Sequence, residues 1–368
     1  DFTICYLSPN YRLNSEFLLY LSPAIVSLRK NCPSKKFRQL FYYGYVLFSC
    51  LLREIMTNKT TFNQVEDVTL MKLEYFHPSY WGTWFLISFL FICSYLPFKA
   101  QWQVSRFFGF LAFILVKKRR HVVQVNVELC FSDKTEKEKK ALVKQIFHEN
   151  MQGYLDSGTS WFRNISPFKN RIDVRGLEIL QRENANGKGI LLAGAHFSIL
   201  DLAGGLTSLV CDLNVTYRPL KNKLMNAVMM RGRYRSVKNA YPKKDVKGFI
   251  SCMRRGEILW YAPDQDYGRK HSTFSPFFGR SAATITGLTF LAKAGKATII
   301  PYSYHRKGNS QTYILEFFEP LPQTGSEEED AANYNTWLEA KIREYPAQYL
   351  WLHKRFKTQE NPEDPSPY

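Results

Sequence analysis

Gly189-Ile-Leu-Leu-Ala-Gly-Ala-His196-Phe-Ser-Ile-Leu-Asp201 decides the fold of this chain. A run of apolar and small residues of strand length stops at a histidine, and a helix-like pattern follows over 198–209. Residues i and i+5 lie about 140° apart on a regular helix. His196 and Asp201 therefore meet only if His196 belongs to the strand-to-helix turn and Asp201 to the first turns of the helix. In that arrangement a carboxylate fixes one imidazole nitrogen and leaves the other to take a proton. A histidine that ends a strand also serves as a core or capping residue, so the surrounding sequence has to choose.

Working outward, strand-like runs recur at 211–217, 257–262, 297–304 and 312–318. Helix-like stretches separate them near 221–231, 245–255 and 284–295, with further helical periodicity at 138–162 and 328–344. This alternation predicts an α/β fold, a mainly parallel sheet flanked by helices. Sites in such sheets form beyond the carboxyl ends of the strands. Two polar groups of residues fall there: His196 with Asp201, and Pro263-Asp264-Gln265-Asp266-Tyr267-Gly268 after the run at 257–262. Between them lie Arg231, Arg233 and Arg235, followed by Lys238, Lys243, Lys244 and Lys247. A base, a carboxylate loop and a cationic cluster on one rim suit deprotonation of a hydroxyl beside a phosphorylated group.

The 368 residues carry 50 Lys+Arg against 32 Asp+Glu, a net charge of +18 that calls for an anionic partner. Aromatic residues at 15% tilt the choice towards a membrane interface. No helix-turn-helix, finger or strand-aromatic motif supports nucleic-acid binding. The 7 cysteines are scattered, without metal-ligand spacing, and imply neither a metal site nor a disulfide framework. No nucleophile elbow is present; Ser281 in Gly279-Arg-Ser-Ala-Ala is a weak imitation of one.

The stretch 77–98 holds no charged residue and has Tyr80, Trp81 and Trp84 at one end, which predicts a single transmembrane anchor. Residues 99–120 read as an interfacial helix closed by the basic block Lys117-Lys118-Arg119-Arg120. Each cation of that block adds about 1 kcal/mol of attraction to an anionic leaflet and holds the following chain on the cytoplasmic side. Residues 1–70 read as an N-terminal extension, with Met71 a natural start site, 121–357 as the main domain and 358–368 as a loose tail containing three prolines.

The chain resembles the late acyltransferases of lipid A biosynthesis, the lauroyl/myristoyl family within the glycerolipid acyltransferase-like class with its H-x4-D/E signature. The stretches that carry the resemblance include His77-Pro-Ser-Tyr-Trp81, Asn126-Val-Glu-Leu-Cys-Phe131, Ala195-His196-Phe-Ser-Ile-Leu-Asp201, Tyr217-Arg-Pro, Arg231-Gly-Arg233, Trp260-Tyr-Ala-Pro-Asp-Gln-Asp-Tyr-Gly-Arg-Lys270, Pro276-Phe-Phe-Gly279 and Gln348-Tyr-Leu-Trp-Leu-His-Lys-Arg-Phe-Lys357. Asp201 replaces the Glu often found at the motif's acidic position. The resemblance implies transfer of a fatty acyl chain from acyl carrier protein to a hydroxyl of a lipid A precursor at the inner membrane, without a cofactor. Other membrane acceptors, such as a lysophospholipid or glycolipid, stay open. It casts His196 and Asp201 as the catalytic pair. Arg233, Asp264, Arg231 and Arg218 become candidates for the oxyanion or for acceptor phosphates. A helix N-terminus beside His196 is expected to disfavour its charged form.

Overall fold

A computed structural model describes residues 68–70 and 72–368, which fall within the compact unit formed by residues 60–368. Of the expected extension at 1–70, residues 1–67 lie outside the described residues, as does the start site at Met71. Val68 and Leu70 are already buried, so the folded unit includes the end of that stretch.

After two short 3-10 turns come α1 (Trp81–Tyr95), α2 (Phe98–Leu115), α3 (Lys117–Cys130) and α4 (Glu136–Phe162). Then follow β1 (Ile172–Arg175), α5 (Leu177–Ala185), β2 (Gly189–Ala193), α6 (Leu200–Thr207), β3 (Leu213–Tyr217), α7 (Lys223–Arg233), β4 (Asn239–Pro242), α8 (Val246–Arg254) and β5 (Ile258–Tyr261). The chain ends with the hairpin β6 (Ser272–Phe277) and β7 (Arg280–Ile285), then α9 (Gly287–Gly295), β8 (Ala297–Arg306), β9 (Tyr313–Phe317) and α10 (Glu327–Glu344).

The main sheet runs β1-β9-β8-β2-β5-β3-β4. All its pairs are parallel except β8 with β9. The mainly parallel sheet flanked by helices is thus as expected. Its central strand β2 is buried at every position, which is why Gly189–Ala193 carries no polar residue. The short edge strands β1 and β4 and the β6–β7 hairpin lack a long apolar run and escape the sequence pattern. Residues 284 and 285, expected as the start of a helix, end β7 instead.

No described helix is long and apolar enough to cross a membrane. The anchor expected at 77–98 is interrupted at Leu96-Pro97, where Leu96 takes an extended conformation. The 15 residues of α1 then reach about 22 Å, short of the ~30 Å hydrocarbon core. The two helices on either side of the break pack on α4. A Cβ at Gly109 of α2 would lie 2.8 Å from the His148 Cα. The basic block does not close the second helix; Lys117 opens α3.

α4 starts at a capping box, with the Thr135 hydroxyl accepting from the Glu138 N–H and Glu138 accepting from the Thr135 N–H. It carries Glu149 and Asp156, whose carboxylates bracket the fully buried guanidinium of Arg306 from β8. The C-terminal segment is not loose. Asp266 accepts from the N–H (2.7 Å) and hydroxyl (2.8 Å) of Thr358. The Tyr368 hydroxyl donates to Asn126 and accepts from the Phe356 N–H.

Candidate active site

β2 and β5 are neighbours, paired Ala193 with Tyr261. His196 and Asp264 each lie three residues beyond those paired ends, so the sheet register itself brings them together. His196 Nδ1 donates to Asp264 Oδ1 at 2.6 Å, and the His196 N–H donates to Asp264 Oδ2 at 3.1 Å. Both oxygens of one carboxylate are thereby committed to one histidine. That bond fixes the tautomer, and Nε2 has no hydrogen-bond partner among the described residues.

The backbone around the histidine is held carbonyl by carbonyl. Tyr334 donates to the Gly194 carbonyl at 2.7 Å, Tyr304 to that of Ala195, and the Leu350 N–H to that of His196 at 2.9 Å. Gly194 must be glycine, since a Cβ would sit 2.3 Å from the Trp260 indole nitrogen. On the other side, the backbone of Ser198 would meet a Cβ at Gly153 of α4 at 2.2 Å. A turn restrained this way keeps the ring in place without help from substrate.

The structure does not bring together the two side chains the motif was expected to pair. Asp201, in the first turn of α6, does not hold His196; its Oδ1 accepts from Arg233 Nε at 2.7 Å and from a terminal nitrogen of Arg233 at 2.6 Å. The turn between His196 and α6 runs through Phe197, Ser198 and Ile199, and the helix presents Asp201 to the end of α7. Asp264, which sequence left between contacting substrate and pinning Arg233, pairs with His196 rather than Arg233.

Electrostatics follow the contacts. Burial disfavours a charged His196, but the Asp264 carboxylate, by charge and hydrogen bond, outweighs it and raises the pKa above the ordinary 6.5. The downward push expected from the helix end does not prevail. Burial likewise opposes ionisation of Asp264, and His196 overcomes it, leaving that carboxyl below its ordinary range.

His196, Asp201 and Arg233 line a cavity of about 600 Å³, within the range of small-molecule sites. Arg218, just past β3, and Lys243 and Lys244, just past β4, line it too and are solvent-accessible. The cationic cluster expected from the sequence thus reaches the cavity in part: Arg233, Lys243 and Lys244 line it, and Arg231, Arg235, Lys238 and Lys247 do not. Arg231 is two residues before Arg233 on α7, about 200° round the helix, so it faces elsewhere. Ser281 sits exposed on β7, outside the cavity lining.

Below the rim the walls turn apolar, with Leu213 and Val215 of β3, Met229 of α7, Phe249 of α8 and Trp260 of β5. These five were not singled out as site residues, since their side chains look like ordinary core. Alternation along β3 (Leu213, Val215 and Tyr217 on one face) was the available signal. The described residues contain no group of His, Cys, Asp and Glu suited to a metal.

The family model for bacterial lipid A biosynthesis acyltransferases matches residues 69–358. Among curated relatives, the lipid A biosynthesis lauroyltransferase of Escherichia coli (strain K12) is 36% identical over 285 residues, covering 77% of this chain and 93% of the relative. The palmitoleoyltransferase of the same strain is 34% identical over 287 residues, covering 77% and 94%. Its myristoyltransferase is 26% identical over 314 residues, covering 84% and 97%.

Proposed function

The chain belongs to the bacterial lipid A biosynthesis acyltransferase family, and from that premise we propose that it transfers a fatty acyl chain from acyl carrier protein to the 3-hydroxyl of a hydroxyacyl chain on a lipid A precursor of the Kdo-lipid IVA type. Family membership makes it an acyltransferase acting in lipid A biosynthesis. The donor, the acceptor hydroxyl and the chemistry are our reading. The observation that carries it is an imidazole fixed by a buried carboxylate at the mouth of a deep, largely apolar cavity.

In this reading His196 Nε2 takes the proton of the acceptor hydroxyl as its oxygen attacks the thioester carbonyl. Asp264 stabilises the imidazolium that forms. Collapse of the tetrahedral intermediate breaks the C–S bond, and the departing thiolate takes the proton back from His196. No residue is acylated, so both substrates are bound at once. Arg233, oriented by Asp201, meets the developing oxyanion, where one donor is worth about 2.7–4 kcal/mol. Arg218, Lys243 and Lys244 take the acceptor's phosphates, and the apolar walls take the fatty chain.

The face of α1 and α2 supports attachment to one leaflet. Trp81, Phe85 and Ile92 of α1 and Phe107, Phe110 and Leu115 of α2 are exposed, and the exposed basic block at 117–119 follows directly. Apolar side chains beside cations suit insertion at an anionic bilayer surface, with the site on the cytoplasmic side of the inner membrane.

The test is transfer of labelled acyl groups from acyl carrier protein to a purified lipid A precursor. Wild type should acylate the acceptor once per molecule, and His196→Ala should fall by about 10²–10⁴. Equal activity in the two would end this reading. Retention of activity with a lysophospholipid as acceptor, and none with the lipid A precursor, would reassign the substrate.

A further inference from the structure

Two adjacent glycines in α6, Gly204 and Gly205, stand in different surroundings. A Cβ on Gly205 would come within 2.9 Å of the Ile165 side chain, so that position is glycine for packing. A Cβ on Gly204 would meet nothing within 4 Å, and the residue lines the cavity. Its backbone is helical, so no unusual φ demands glycine. Glycine inside a helix costs stability relative to alanine. With neither packing nor conformation to explain it, what its missing side chain preserves is the cavity's open volume.

The position matters because α6 runs down the cavity wall. Asp201 lies at the rim beside Arg233, Gly204 one turn deeper and Thr207 nearly another turn below. At that depth the Thr207 hydroxyl is hydrogen-bonded to the Tyr302 hydroxyl, and Leu213 lines the cavity from the start of β3. The paired hydroxyls close the floor without leaving a polar group unsatisfied.

We propose that Gly204 and the Thr207–Tyr302 pair gauge the acyl chain: the bare wall at Gly204 admits the chain's lower part, and the paired hydroxyls stop its methyl end. This rests on the acyl-transfer reading above and adds the residues that set chain length. Filling the wall must shorten the accepted chain, and lowering the floor must lengthen it. A merely structural role for either residue gives no such opposite signs.

The experiment offers the full-length protein an equimolar mixture of acyl carrier proteins carrying saturated chains of different even lengths, and weighs the acylated product by mass spectrometry. In Gly204→Leu the ratio of the wild type's preferred chain to the chain two carbons shorter should fall roughly tenfold, the worth of two buried methylenes. Thr207→Ala should move the same kind of ratio towards the chain two carbons longer. Gly204→Ala, which favours the helix, should melt no lower than wild type and shift the ratio about threefold towards shorter chains. It secures the result if the leucine variant does not fold. An unchanged chain-length profile in folded, active Gly204→Ala and Thr207→Ala overturns the proposal. Absence of transfer from every donor by wild type would instead overturn the acyl-transfer reading beneath it.

Discussion

His196 and His305 lie close in the fold, with Phe197 next to one in sequence and edge-on to the other at 4.4 Å. Only His196 has a carboxylate. His305 is fully buried, stacks on Tyr345 at 3.9 Å, and neither ring nitrogen has a hydrogen-bond partner. Burial, with Lys341 adding its charge, drives its pKa well below 6.5. Desolvation pushes both rings the same way, and the two oxygens of Asp264 reverse the result for one. In this protein a base is made by what faces the imidazole rather than by how deeply it is placed.

The sharpest way to break that contrast is Asp264→Asn. It leaves His196 without a charge partner, as His305 is, though still open to the cavity, and kcat/KM should fall by about 10³–10⁴. If initial rates show a smaller loss for Asp264→Asn than for Asp201→Asn, the motif pairing and not the register pairing carries the reaction. Asp201→Asn, which frees Arg233 but leaves the base intact, should cost about 10–100-fold, mostly in kcat.

The contrast also has a signature in pH. A raised His196 pKa places the acid limb of kcat/KM above pH 6.5, because the base must be unprotonated to act. A pH–rate profile on wild type, with the residual activity of Asp264→Asn shifted to lower pH, checks it. The smallest effect belongs to His305→Phe. Removing two unpaired buried nitrogens should leave turnover near wild type and raise stability, by more at pH 5 than at pH 8. The sign follows from linkage: below 6.5 the unfolded chain protonates a histidine that the fold keeps neutral, so stability drops as pH falls towards the depressed folded value. Urea titrations at the two pH values measure it.

Much of this was legible in the sequence where one period dominates. The buried run at 189–193, its partner strands and the helices between them follow from apolar patterning, and His196 follows from its position past a strand end. What failed was adjacency. Asp201 is near His196 along the chain, whereas Asp264 is near it only through the register Ala193 with Tyr261, which no local pattern encodes. The anchor at 77–98 was misjudged for a related reason. An uncharged stretch looks continuous in composition, but Pro97 splits it, and Gly109 and Gly158 fit the resulting helices against α4. The C-terminal segment looked loose because its ties, Thr358 to Asp266 and Tyr368 to Asn126, reach residues far away in the sequence.

The sheet order carries a consequence for biogenesis. Among the described residues β1 is the first strand to leave the ribosome, and it pairs with β9, the last, in the register Ile172 with Tyr313. At about 5–20 residues per second, its edge stays without a partner for on the order of ten to thirty seconds. Over that interval the nascent polypeptide exposes unpaired strands, which makes it a natural client for chaperones and an aggregation risk under rapid overexpression.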